Sequence, residues 1–302
     1  MTARTASGQT KPASLERTAS VRRLLDRDAI RERLLAARAY SAYATAYLDP
    51  RLFPLACFYE ATSGNRWALV MHARGGLGTS TLTLGDAAIV EALLQLHPGP
   101  RQTFLTCETG HVDGLLLGHN LWRPQTMLRM QVSRPSFQPR ANPAPVRRLI
   151  DADAPDLNAL YAIEGDGLRY SGRQISQGAY FGAYVRGRLV SAAGTHIHSA
   201  SESVGVVGNV FTHPDHRSHG LGGAVTSAVT AQLLRTCDLV VLNVDPANRT
   251  ARHIYETLGY AEVGRLVEAM ATRRDPLSPM PLVRRLIGRW HSRTSGVETV
   301  QL

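Results

Sequence analysis

The chain has 302 residues, 44% of them hydrophobic, 19% charged and 6% aromatic. That suits one large or two medium folded domains and excludes a disordered, collagen-like or coiled-coil protein. The formal charge of +10 suggests nucleic acid until it is mapped along the chain: residues 1–40 carry nine basic and four acidic side chains, and residues 273–302 carry six and two. The middle is nearly neutral, so no nucleic-acid partner is expected. The longest apolar runs, such as Leu239–Val244, fall far short of the ~20 residues that cross a bilayer, so no membrane span is expected either. Cys57, Cys107 and Cys237 are widely spaced. They predict neither a disulfide framework nor a zinc site and fit a cytoplasmic protein.

Residues 1–20, rich in Thr, Ala and Ser, read as a disordered tail. Residues 21–133 read as a first α/β domain. Val21–Ala46 is helix-prone through Leu24, Leu25, Ile30, Leu34 and Leu35. Leu55–Glu60 and Trp67–His72 predict strands around a Ser63-Gly64-Asn65 turn. Arg74–Gly78 reads as a second hairpin turn, with Thr79–Leu84 continuing as strand. Asp86–Leu96 predicts a helix, and Gln102–Thr106 and Met127–Val132 predict strands. Pro135, Pro139, Pro143 and Pro145 make 134–145 the candidate linker. A second domain over 146–272 opens with a short strand, then a helix near Asp153–Asp156 with Pro155 in its first turn. Tyr180–Tyr184 and Leu189–His196 predict another hairpin, and 273–302 reads as a basic tail holding a short amphipathic segment, Leu282–Trp290.

Val204–Tyr260 carries the chemistry. Val204–Phe211 looks like a strand distorted near Gly205 and Gly208, Thr212–His219 like a loop, and Leu221, Val225, Ala228, Val229 and Leu233 like the stripe of a helix. The first turn of a helix presents unpaired N–H groups and the positive end of the macrodipole. Gly220, Gly222 and Gly223 remove side chains that would keep a phosphate away, and Arg217 adds a fixed charge. The run is neither a Walker loop nor a dinucleotide fingerprint. Next, Leu239–Val244 predicts a strand and Asn248 the N-cap of a second helix with the stripe Ala251, Ile254, Tyr255 and Leu258, stopped by Gly259. Two such parallel strands would splay near the helix N-termini and leave a slot for an elongated ligand.

Arg217-x-x-Gly220-x-Gly222, preceded by Val210-Phe211-Thr212-His213-Pro214, and Asn248-x-x-Ala251-x-x-x-Tyr255-x-x-x-Gly259-Tyr260 resemble the two acetyl-CoA motifs of the GNAT superfamily of N-acetyltransferases. The resemblance covers about residues 144–272. It implies the GNAT acyltransferase fold, a mixed twisted sheet flanked by helices. It implies acetyl-CoA, or another short acyl-CoA, as co-substrate, and acyl transfer to the amine of a small molecule or peptide by direct attack in a ternary complex. On it, the backbone of Arg217, Ser218, His219, Gly220, Leu221, Gly222 and Gly223 would hold the pyrophosphate. Asn209, Val210 and Phe211 would pair with the pantetheine, Asn248 would hold the cofactor arm, and Tyr255 would protonate the departing thiolate. A phenol of pKa about 10 suits a thiol of about 8.5.

The usual strand glutamate that serves as base has no counterpart at Gly205–Val207. Glu202 reads as a solvated loop acid, His196 and His198 are alternatives, and the base is unassigned. The missing carboxylate also motivates the alternative of a non-catalytic acyl-CoA-binding sensor or interaction module. His213, His216 and His219 lack further ligands, so no metal is expected. The loop Glu164–Tyr170 occupies the place where family members cover the acceptor. The first half is similar to a decayed copy of the same fold. Two-part layouts of this kind are found in glycine N-acyltransferase-like proteins and mycothiol synthase, without substrate-specific residues linking this chain to either. Acceptor and oligomeric state, a homodimer included, stay open in the sequence.

Overall fold

The structure is a computed structural model that describes residues 18–75, 78–140, 144–163, 169–274 and 298–302. The expectations for most of the two tails, the centre of the Arg74–Gly78 turn, part of the linker, most of the Glu164–Tyr170 loop and Leu282–Trp290 lie outside these residues.

The first half runs β1 (Thr18–Leu24), α1 (Arg27–Leu35), α2 (Ala42–Ala46), β2 (Ala56–Ser63), β3 (Arg66–Gly75), β4 (Gly78–Gly85), α3 (Ala87–Leu96), β5 (Gln102–Cys107), α4 (Val112–Gly118) and β6 (His119–Val132). The second repeats that order: β7 (Val146–Arg148), α5 (Ala154–Tyr161), α6 (Gly172–Gln177), β8 (Phe181–Val185), β9 (Arg188–Ser199), β10 (Val204–Thr212), α7 (Leu221–Leu233), β11 (Leu239–Val244), α8 (Arg249–Thr257) and β12 (Ala261–Arg273). A final strand, β13 (Glu298–Gln301), pairs with β1.

All the strands form one sheet in the order β13-β1-β2-β3-β4-β5-β12-β6-β11-β10-β9-β8-β7. Each half gives away its last strand. β6 lies against β11 of the second half, β12 lies against β5 of the first, and β6 and β12 pair with each other at the centre. Among the described residues the parallel pairs are β4–β5 and β10–β11, one in each half. Topology alone therefore relates the halves as two copies of one plan, the arrangement expected of a GNAT fold preceded by a degenerate counterpart.

The predicted first-half hairpins and α3 are present, and the strand predicted at Gln102–Thr106 runs to Cys107. Val21–Leu24 differs from its helical reading. Ala19 and Val21 alternate inward while Arg22 faces Glu60 across the pairing with β2, so a period of two prevails and helix begins only at Arg27, capped by Asp26. Residues 134–140 lie against the second half. Arg134 Nε donates to the Leu234 carbonyl (2.6 Å), the Gln138 amide to the Leu258 carbonyl (3.0 Å) and the Arg140 amide to Ser227 Oγ (3.0 Å).

Alternating burial fixes the faces. On β11, Val240, Leu242 and Val244 join the core under α7 and α8, whereas Leu239 and Val241 pack with Ala42 and Ala46 of α2. α3 covers the same face as α7, and α1, α5 and α6 lie on the face of α2. No helix among the described residues is long and apolar enough to cross a membrane.

Candidate active site

The site begins where β10 leaves β11. The two pair in parallel only from Val204↔Leu239 to Val206↔Val241. Beyond, β10 follows β9 through register shifts at Val206/Val207 and Gly208/Phe211, with Asn209 at a φ of +54°. β11 follows β6 instead. A bulge that bends one strand opens a gap between two main chains. The parting of the two strands expected from the sequence is present here.

α7 starts at that gap. Gly220 is its N-cap at a φ of +76°, a left-handed conformation that glycine adopts without strain, and no side chain caps the helix. The amides of Gly220, Leu221, Gly222 and Gly223 make no hydrogen bond to the described residues. Four aligned donors at the positive end of a 13-residue helix form an anion cradle. Arg217 lies beside it, its Nε donating to the Thr212 carbonyl (3.2 Å) and its guanidinium 5.9 Å from the Phe211 ring centre. The sequence did not reveal Arg140. Its guanidinium lies about where a side chain on Gly223 would begin, with Nη1 3.1 Å from that point, so a second cation borders the first turn of α7. Only the folded path of 134–140 brings it there; no local pattern signals it.

Of the other predicted binding residues, Val210 packs against the α7 core, while Phe211 is buried beneath α5. The Asn209 backbone carbonyl accepts from Tyr161 Oη (2.5 Å) and its side-chain Nδ2 donates to Tyr180 Oη (3.2 Å), which holds the bulge from the opposite face. Ser218 has a φ of +64°, and His219 Nδ1 sits 2.6 Å from the Arg217 carbonyl. Asn248 caps α8, accepting from the Ala251 amide (3.0 Å). Tyr255 is buried in the core between α7, α8 and β11. Its hydroxyl has no hydrogen-bond partner among the described residues, and burial pushes its pKa up to about 12. The phenol therefore stays protonated at neutral pH.

The possible bases separate clearly. Glu202 is buried and doubly bonded to Arg31 of α1 (both contacts 2.9 Å), so it is an ion-pair anchor between the halves and not a solvated loop acid. His196 lies against Gly208, where any added side chain would strike its ring. Burial, helped by the charge of Arg129, lowers its pKa to about 4. His198 is also lowered by burial. Among the described residues no cluster of three or more His, Cys, Asp or Glu could hold a metal; His213 Nδ1 accepts instead from the Asp215 amide (3.2 Å).

The corresponding helix end in the first half is already capped. α3 stands after β4 as α7 stands after β10, but its N-cap is Asp86, whose carboxylate accepts from the amides of Ala88 and Ile89 (3.1 and 3.2 Å). An acid already occupies that anion position.

Residues 180–269 match the family model described as FR47-like protein. Over 86 residues the chain is 40% identical to the mycothiol acetyltransferase of Thermobispora bispora. That stretch covers 27% of this chain and 29% of that protein, so the match spans less than a third of the relative's length. Among solved structures, a Drosophila protein aligns at a TM-score of 0.59 with 15% identity, covering 82% of this chain and 98% of its own. A structure described as a GNAT-family acetyltransferase from Novosphingobium aromaticivorans aligns at 0.54 with 18% identity, covering 76% and 96%. A GCN5-related N-acetyltransferase from Kribbella flavida aligns at 0.51 with 20% identity, covering 82% and 97%. The fold is the GNAT acyltransferase fold, and the match to the FR47-like model lies within the C-terminal half.

Proposed function

We propose that the protein is an N-acetyltransferase that moves an acetyl or other short acyl group from acetyl-CoA to the amine of a small molecule or peptide. One observation carries this reading: the unpaired amides of Gly220–Gly223 open onto the gap between β10 and β11. Those amides, with Arg217 and Arg140, would hold the pyrophosphate, each charge-assisted bond contributing roughly 1.5–3 kcal/mol. The free edge of β10 at Asn209–Phe211 would receive the pantetheine as an added strand. Asn248 would steady the arm through the amide nitrogen its cap bond leaves free. Tyr255, protonated throughout the physiological range, would give its proton to the leaving sulfur.

The experiment is calorimetry with acetyl-CoA followed by thiol release over a panel of primary amines. Tyr255→Phe is expected to leave the affinity for acetyl-CoA unchanged and to lower turnover by about 10²–10⁴-fold. Unchanged turnover removes the acid role from Tyr255. Binding of acetyl-CoA by the wild type without thiol release from any amine would make the protein a CoA-binding sensor instead.

A further inference from the structure

The acyltransfer reading leaves the acceptor's proton without a destination, and the α2 face of the central strands supplies one. Residues alternate along a strand. Arg129 on β6 therefore lies opposite its neighbours Leu128 and Met130, Asn243 on β11 opposite Leu242 and Val244, and Glu268 on β12 opposite Val267. All three share the face away from α7 and α3. Asn243 lies two residues beyond Val241, the last residue of β11 to pair with β10, so it stands at the mouth of the gap.

Among the described residues the four buried carboxylates, Asp49, Glu60, Asp153 and Glu202, are each paired with an arginine. Glu268 is different. It is only partly buried, no ion pair reaches it among the described residues, and its bond is from Asn243 Nδ2 (2.5 Å). Burial raises its pKa, while the charge of Arg129 and the Asn243 bond oppose that rise. Arg129 is buried, with Nη2 donating to the Tyr40 carbonyl (3.3 Å) and with Nε and Nη1 lacking a partner among the described residues. Asn243 Oδ1 is likewise buried and unpartnered. Tyr43 lies within reach of the charge of Glu268 and His196 within reach of that of Arg129, and burial keeps both neutral at pH 7. Two unmet donors on Arg129 and an unmet acceptor on Asn243, beside a carboxylate that makes no ion pair among the described residues, describe a site for a polar guest that carries both a cationic nitrogen and an oxygen.

We propose that Glu268, brought from the far end of the chain by the exchanged strand β12, receives the acceptor's ammonium and takes its proton, while Arg129 holds an oxygen on the adjacent carbon. The acceptor is then a primary amine with a neighbouring hydroxyl or carboxylate oxygen. This rests on the acyltransfer reading above. The ammonium gives one proton to Glu268, which returns it to the water of the cleft. The freed nitrogen bonds to the acyl carbon as the carbon–sulfur bond breaks. The proton Tyr255 hands to sulfur is made good by the second proton leaving nitrogen. The products are an amide, a thiol and one proton.

The test follows thiol release by the full-length chain from acetyl-CoA with two probes: ethanolamine, an ammonium at neutral pH, and hydroxylamine, which is unprotonated there. Glu268→Gln is expected to lower transfer to ethanolamine by about 100-fold or more, to leave transfer to hydroxylamine within a few fold, and to leave the calorimetric affinity for acetyl-CoA unchanged. Glu268→Asp, which keeps the carboxylate, is expected to recover part of the ethanolamine activity. The proposal is overturned if Glu268→Gln acts on ethanolamine like the wild type, if both probes fall equally in both variants, or if the wild type uses hydroxylamine but not ethanolamine. Intact acetyl-CoA binding by the wild type with no release from either probe would remove the acyltransfer reading itself.

Discussion

Asp86 and Gly220 hold the same post in the two halves: each is the N-cap of the helix that follows the strand of the parallel pair. Asp86 fills its helix end with its own carboxylate, and Gly220 leaves its helix end bare. Converting one into the other is therefore informative. Gly220→Asp is expected to fold, because Asp tolerates the left-handed region better than most residues. Its carboxylate would compete for the amides and repel a pyrophosphate. With at least two charge-assisted bonds lost, acetyl-CoA affinity should fall by roughly 100-fold or more. Calorimetry reads the affinity and a thermal melt checks the fold; wild-type affinity in a folded variant would take the cradle away from α7.

A second prediction concerns acid. His72 is buried in the first half, with Nδ1 3.0 Å from Thr81 Oγ1 and Nε2 2.9 Å from the His97 carbonyl, and burial lowers its pKa from 6.5 to about 4. A histidine depressed in the folded state contributes stability that is complete above its unfolded pKa and is lost as pH falls toward the folded one. The loss lies between about pH 6.5 and 4 and amounts to about 3 kcal/mol. His72→Gln removes the titration, so its urea midpoint should fall less between pH 7 and 4.5 than that of the wild type. Equal falls would show that His72 does not drive the acid sensitivity.

The exchanged strands yield a third. A fragment starting at Val146 lacks β6 and exposes the β11 edge with Val240, Leu242 and Val244 behind it. A fragment ending at Pro145 lacks β12 and exposes β5. Unpaired edges of this kind aggregate. Each piece alone is expected to be insoluble, while the two produced together should elute as one complex in size-exclusion chromatography. A monomeric, folded 146–302 fragment would contradict this.

Much of this architecture was legible from local pattern. Gly220, Asn248 and Gly259 announced their helix ends because capping chemistry is local. The stripe at Ala251, Ile254 and Tyr255 is likewise contained within two turns. β1 was hidden because Arg22 and Arg23 interrupt its alternation, and its pairing with β2 is decided about 35 residues away. Glu202 read as a solvated acid because its partner, Arg31, stands 171 positions upstream. Arg140, Arg129 and Glu268 were invisible for the same reason. Each gains its neighbours from a strand order that no run of sequence spells out.

That strand order also bears on how the chain comes into being. β6 is complete by Val132, yet the two strands that flank it end at Val244 and Arg273. During synthesis the first half must therefore wait with an open seam until more than a hundred further residues have left the ribosome. Contacts of such long range close slowly and leave sticky edges exposed meanwhile. The central seam closes only when β11 and β12 have both been made.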